Sequence, residues 1–143
     1  MSLDLTPLEM AVGQLKFALD MYDTKPAQDD PDIQKCMRGN VIQTFEYTYE
    51  LSFKMVRRHL SMASGSPDTI NAMTFSDVIR EAYGKDIVRS DVVAWRKYRD
   101  RRGITSHAYN EDKAQEVFVG APDFLDEARY LLDRLRERNK SLG

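Results

Sequence analysis

From Pro31 to Met62 the chain has no proline after its first residue, and an apolar or aromatic side chain recurs every three or four positions: Ile42, Phe45, Tyr49, Phe53, Val56 and Leu60. A 3.6-residue period places all of these on one stripe. The stretch is therefore read as one helix opened by Asp30-Pro31, on the order of 48 Å long at 1.5 Å of rise per residue. A helix of that length with one apolar face must bury the face against other helices. No segment of the chain alternates convincingly with period two, so a sheet is not expected to provide the cover.

The rest of the chain supplies helices instead. Thr6-Pro7 reads as an N-cap and first-turn pair opening a helix to about Tyr22, followed by a polar link from Lys25 to Asp30. Residues 64–71, with Gly65, Ser66 and Pro67, read as a loop. Thr74 to Asp77 has capping-box spacing, and a short helix should run to Tyr83 and stop at Gly84. Ser90 is read as the cap of a helix through Trp95 to Arg102, with Gly103 either as its left-handed terminus or as a position the helix runs past, and Asn110 as the cap of the next. Pro122 would clash with the carbonyl of Phe118, which predicts a kink or a restart there. The last segment presents Phe124, Ala128, Leu131, Leu132 and Leu135 on one face. The expected fold is all-α: an up-and-down bundle of about five helices, four-helix-bundle-like, over residues 1–143 as a single domain.

The chain has 143 residues, 42% of them hydrophobic, enough for one core without covalent staples. Cys36 has no cysteine partner, and His59 and His107 are the only histidines, which leaves no thiolate or imidazole cage. Neither a metal nor a cofactor is expected. No early apolar run suits a secretory signal or membrane span, so a cytoplasmic location without membrane contact is expected. A net charge of −2 gives no overall basic face for non-specific nucleic-acid binding. Locally the charge is segregated: Arg96, Lys97, Arg99, Arg101 and Arg102 place five cations in seven positions.

Within that run, Val92, Trp95, Arg99 and Arg102 are spaced to share a helix face that begins apolar and ends cationic. A guanidinium on a core-facing stripe is costly unless paired. Arg102 should therefore meet a carboxylate, line a wet groove or enter a subunit interface. Glu46 and Glu50, one turn apart beside the stripe of the long helix, are the acidic candidates. The next residues bring Arg102, His107 and Tyr109 together around a helix junction. Arginine can hold a phosphate in a fork, histidine can move a proton near neutral pH, and tyrosine offers a hydroxyl that can accept a transferred group. His59, beside Arg57 and Arg58, reads as a surface residue, and Trp95 as packing. Tyr47, Tyr49 and Phe53 could stack on bases but at helical spacing read as core or dimer contacts.

Two stretches carry a family resemblance. Arg102, His107 and Tyr109 match the R-x4-6-H-x-Y signature of HepT-like HEPN proteins. The long helix carries Val41-Ile42-Gln43-Thr44-Phe45-Glu46-Tyr47-Thr48-Tyr49-Glu50-Leu51, similar to a stretch of the nucleotidyltransferase substrate-binding subfamily. The resemblance covers nearly the whole chain. It implies a homodimer with the signature arginine and histidine of both copies facing one cleft, and a partner: a small nucleotidyltransferase (the antitoxin) encoded nearby. It further implies the HepT-like half of a toxin–antitoxin pair, with Tyr109 as the target of adenylylation. The alternative it carries is an active, metal-independent HEPN endoribonuclease acting on RNA, with Arg102 and His107 catalytic. One position departs from the pattern: Gly103 stands where many ribonuclease members carry Asn or Asp. Arg101 also gives an allowed spacing to His107, so both arginines are candidates. Arg99, Arg101, Glu46 and Glu50 complete the expected binding set. No Gly-rich phosphate loop or paired-aspartate signature marks this chain as the transferase itself.

Overall fold

The computed structural model describes residues 2–142. Among them the chain forms α1 (Thr6–Tyr22), α2 (Lys25–Asp29), α3 (Pro31–Ala63), α4 (Pro67–Asn71), α5 (Phe75–Gly84), α6 (Val92–Gly103), a 3-10 turn (Thr105–His107) and α7 (Glu111–Leu142), with no strand. The expected helices are present as α1, α3, α5, α6 and α7. The helix count differs from about five because α2 and α4 fill segments read as link and loop. Each of these short helices has a proline in its first turn and buries one apolar side chain, Ala27 or Ile70. That anchor outweighs the turn preference of the polar neighbours.

Several helix ends also differ from the expectation. Asp91, not Ser90, caps α6: its carboxylate accepts the N–H groups of Val93 and Ala94 at 3.1 and 3.3 Å. α1 includes Thr6 and has no side-chain cap. α5 runs through Gly84, and the left-handed residue beyond it is Asp86, at φ 59°, a residue type that tolerates that region. At Gly103 the structure takes the second of the two readings: the residue continues α6 without a positive φ. Pro122 lies inside an uninterrupted α7, at an exposed position of that helix. Thr74 and Asn110 cap as expected, accepting from Asp77 and from Asp112 and Lys113.

Helices α1, α3 and α7 pack on one another, and α5 and α6 close the bundle against α3. The centre is aromatic. The Phe124 ring is fully buried and lies edge-on to Phe45, Trp95 and Tyr98, with centroid separations of 5.3, 6.0 and 4.9 Å. Tyr49 adds a tilted contact at 5.9 Å. Helices α3, α6 and α7 are locked at this point, and each of them carries a residue of the site described below.

His59 belongs to this interior rather than to the surface. It lies on the buried face of α3 with Ser52, Met55, Val56 and Leu60, while Arg58 points out. Burial lowers its pKa, and the charges of Arg138 and Lys85 act in the same direction. The unfolded chain therefore binds this proton more readily than the folded one. The resulting stability is complete above the ordinary value of 6.5 and drains away as pH falls towards the lowered folded value. Denaturation midpoints of a His59→Leu chain should be flatter below that pH than those of the parent. The parent's extra slope is bounded at about 1.4 kcal/mol per pH unit for one proton. An unchanged slope would remove His59 from the acid response.

Candidate functional site

The last turn of α6, the 3-10 turn and the start of α7 form one junction. The Thr105 hydroxyl donates to the Arg102 carbonyl at 2.8 Å, and the N–H groups of His107 and Asn110 donate to Ile104 and His107, both at 3.0 Å. Thr105 is buried beneath it. The turn is thus tied down on its inner side while His107 and Tyr109 project outward. Their rings are 6.1 Å apart, edge to face. Tyr109 is 84% exposed. Its hydroxyl has no hydrogen-bond partner among the described residues.

Arg102 faces the other way, across to α3. Its Nε donates to Glu50 at 2.9 Å, a second guanidinium nitrogen is bonded to the same carboxylate, and Glu46 stands 3.5 Å away. The Glu50 hydrogen bond raises the pKa of Arg102, against a smaller opposing effect of burial. Of the three environments open to Arg102, the structure shows the carboxylate partner. Tyr49, the residue before Glu50 on α3, is pushed up to about 12 by burial, with the Arg99 and Arg102 charges acting against the rise. It remains a neutral part of the wall.

The two candidate arginines separate in space. Arg101 turns from α3 towards α7 and lies over Gly120, where a Cβ would come within 2.5 Å of its Nε. It joins Tyr98, Lys97 and Asp123 around a surface cavity. Glycine at 120 is what makes room for this side chain. Arg99 takes neither direction and rests on the Phe75 ring at 4.8 Å. The basic run therefore divides among three neighbours: Arg102 with Glu46 and Glu50, Arg101 with α7, and Arg99 with α5.

A buried polar cluster beside Arg101 was missed by sequence reasoning. Glu127 is fully buried in α7. It accepts the Arg89 backbone N–H at 2.7 Å and the Tyr98 hydroxyl at 3.2 Å. Asp123 accepts the same hydroxyl at 2.9 Å and the Arg89 guanidinium at 2.8 Å. Burial raises the pKa of Tyr98, with the Glu127 charge adding to the rise. Burial works against the charge of Asp123, but hydrogen bonds from Arg89 and Tyr98 hold its pKa below the ordinary value. The available signal was Glu127 itself, an acid three residues after Phe124 and four before Leu131 in the apolar stripe. The network fixes α6 on α7 and so sets where Arg101 and Arg102 emerge.

Among the described residues no group of three or more His, Cys, Asp or Glu side chains gathers as a metal cage. No described helix is long and apolar enough to cross a membrane.

Residues 3–137 match the family model for nucleotidyltransferase substrate binding protein-like chains. A Haemophilus influenzae relative named "Probable ribonuclease HepT" is 42% identical over 133 residues, spanning 93% of this chain and 87% of that protein. A solved Haemophilus influenzae structure, described as revealing the fold of a substrate binding domain of a nucleotidyltransferase, superposes with a TM-score of 0.86 at 36% identity. It covers 93% of this chain and 99% of its own. A Thermus thermophilus structure gives a TM-score of 0.68 at 29% identity, over 90% and 98% of the two chains. A match along nearly the whole length, in both sequence and fold, leaves one conclusion: the chain belongs to the nucleotidyltransferase substrate binding protein-like family.

Proposed function

We propose that residues 1–143 act as one HEPN-type unit in the cytoplasm, as the partner subunit of a small nucleotidyltransferase and the target of its adenylylation at Tyr109. In this reading the chain is the HepT-like half of a toxin–antitoxin pair and works as a homodimer through α3 and the Arg102–Tyr109 junction. The observation that carries it is the contrast across the junction. The Tyr109 hydroxyl stands exposed and unpartnered, while the Arg102 guanidinium is engaged by Glu50. An acceptor of a transferred group needs the first condition. A phosphate-holding nuclease site needs Arg102 released.

In the transfer, the Tyr109 oxygen bonds to the α-phosphorus of ATP, the bond to the β-phosphate bridge breaks, and pyrophosphate leaves. The phenolic proton passes to solvent or to a base of the transferase. Magnesium and the nucleotide site belong to that partner. The test is to purify the chain with its neighbouring nucleotidyltransferase, add ATP and magnesium, and record intact mass and sedimentation. A complex containing two copies of this chain, each gaining AMP, is the expected result. A stable complex with no AMP increment would reject the modification and leave a plain binding subunit.

A second reading, a metal-independent ribonuclease, is favoured by the name of the 42% identical relative. Here a ribose 2′-oxygen would attack the adjacent phosphorus, the bond to the 5′-oxygen would break, and a cyclic phosphate and a 5′-hydroxyl would result. His107 would take the 2′ proton or supply one to the leaving oxygen, and Arg102 would hold the phosphate. Cleavage should persist with a chelator present. His107→Ala should lower it by roughly a hundredfold or more, on the scale of general acid–base catalysis, with unchanged helical circular dichroism. Undiminished cleavage by that variant would remove His107 from the chemistry.

A further inference from the structure

The groove between α6 and α7 that takes Arg101 has a volume of about 480 Å³. Val93 on α6 and Val119 on α7 both belong to its wall and stand 56% and 58% exposed. Each helix thus offers solvent a branched apolar side chain at one cleft. The same wall carries Lys97 and Arg101, one turn apart on α6. Gly120 is buried under Arg101, and its missing side chain lets the guanidinium rest on α7.

The acids of this groove are already engaged. Asp123 accepts from the Arg89 guanidinium and the Tyr98 hydroxyl, and Asp91 accepts the N–H groups of Val93 and Ala94. The cations are not engaged: Lys97 and Arg101 make no ion pair among the described residues. Tyr98 turns its ring to Phe124 in the core and its hydroxyl to Asp123 and Glu127, so it offers no open face on which a base could stack. A nucleic-acid strand here would also pass its phosphates over two carboxylates. A peptide with an apolar side and flanking Asp or Glu answers both features at once. Its apolar side covers the two valines, and its carboxylates meet Lys97 and the planar fork of Arg101.

We propose that the α6–α7 groove is a docking surface for an acidic, amphipathic segment of the nucleotidyltransferase. This rests on the partner reading above, and not on modification of Tyr109. The location suits that partner. Gly120 lies nine residues beyond Glu111, the start of α7, or about 14 Å along the axis at 1.5 Å per residue. A standard protein footprint of about 800 Å² per partner spans that distance. A transferase poised over Tyr109 can therefore rest on the groove in the same encounter.

The test is calorimetric titration of the full chain with the purified neighbouring transferase, without ATP, so that binding is read apart from modification. Lys97 and Val119 are both exposed, and their replacement should leave the helical circular dichroism unchanged. The double variant Lys97→Glu, Val119→Glu should weaken the complex about tenfold or more and flatten its salt dependence. Gly120→Ala keeps every charge but pushes Arg101 off α7, and should weaken the complex about threefold or more. Lys16→Glu, the same charge change on an exposed position of α1, should bind like the parent. Parent-like affinity in both groove variants, with a stable parent complex, would overturn this proposal and leave the partner reading intact. No complex even with the parent would overturn both. Sedimentation of the free chain gives the remaining outcome: if the double variant splits a dimer of the parent, the groove belongs to a second copy and the proposal fails.

Discussion

Incubated with its nucleotidyltransferase partner, ATP and magnesium, the Tyr109→Phe chain is expected to gain no AMP, while the parent gains one increment per copy. The effect should be complete because the substitution deletes the accepting oxygen and nothing else. Tyr109 is 84% exposed and its hydroxyl is bonded to nothing among the described residues, so stability should change by no more than about 0.5 kcal/mol. Modification of the parent and its absence in the variant can therefore be read without a folding correction. The other tyrosines serve as internal controls. Tyr98 is buried and bonded to Asp123 and Glu127, and Tyr49 is buried in the aromatic centre. Tyr83 is half exposed but lies on α5, outside the junction. An increment that persists in Tyr109→Phe and maps to Tyr83 or another tyrosine would sink the assignment of the acceptor while leaving a transferase partnership standing.

The largest effect on folding should come from Phe124→Ala. The ring is fully buried and touches Phe45, Tyr49, Trp95 and Tyr98, so its removal opens a cavity where α3, α6 and α7 meet. Losses of about 3–5 kcal/mol are usual for such a truncation, a large part of a total of about 5–15 kcal/mol. The midpoint of thermal unfolding should fall by on the order of 10 °C or more. The consequence reaches the junction, because Tyr49 precedes Glu50 and Tyr98 shares α6 with Arg102. AMP addition should weaken with temperature in this variant well before it does in the parent. A melting point within a degree or two of the parent would mean that the cluster is not the keystone of the bundle.

The homodimer remains part of the proposal, and the junction gives it a physical motive. Arg102 is tied to Glu50 within one chain, and an RNA phosphate or a second copy brought to the same cleft would compete for that guanidinium. Sedimentation of the pair and the cleavage assay with His107→Ala address the two alternatives separately.

Periodicity alone was enough to determine the helical class and the faces that would be buried. Phe45, Tyr49, Val56 and Leu60 on α3, and Phe124, Ala128, Leu131 and Leu135 on α7, are all in the core, because a 3.6-residue repeat has only one way to hide its apolar side. Arg102, His107 and Tyr109 stood out in the sequence as three chemically distinct groups within eight positions, but the structure pairs only the His107 and Tyr109 rings and turns Arg102 to Glu50. Tertiary structure decided the rest. Whether Arg101 or Arg102 meets the acids of α3 depends on helix rotation, and one residue on a helix turns a side chain by about 100°. No local rule fixes that angle; here the buried contacts of Trp95, Tyr98 and Phe124 set it. The same dependence hid Glu127 and placed His59 inside. A polar residue within an apolar stripe is tolerated only if partners arrive from elsewhere in the chain. Glu127 receives Arg89 and Tyr98 from 38 and 29 positions away, contacts that exist only once the helices have packed.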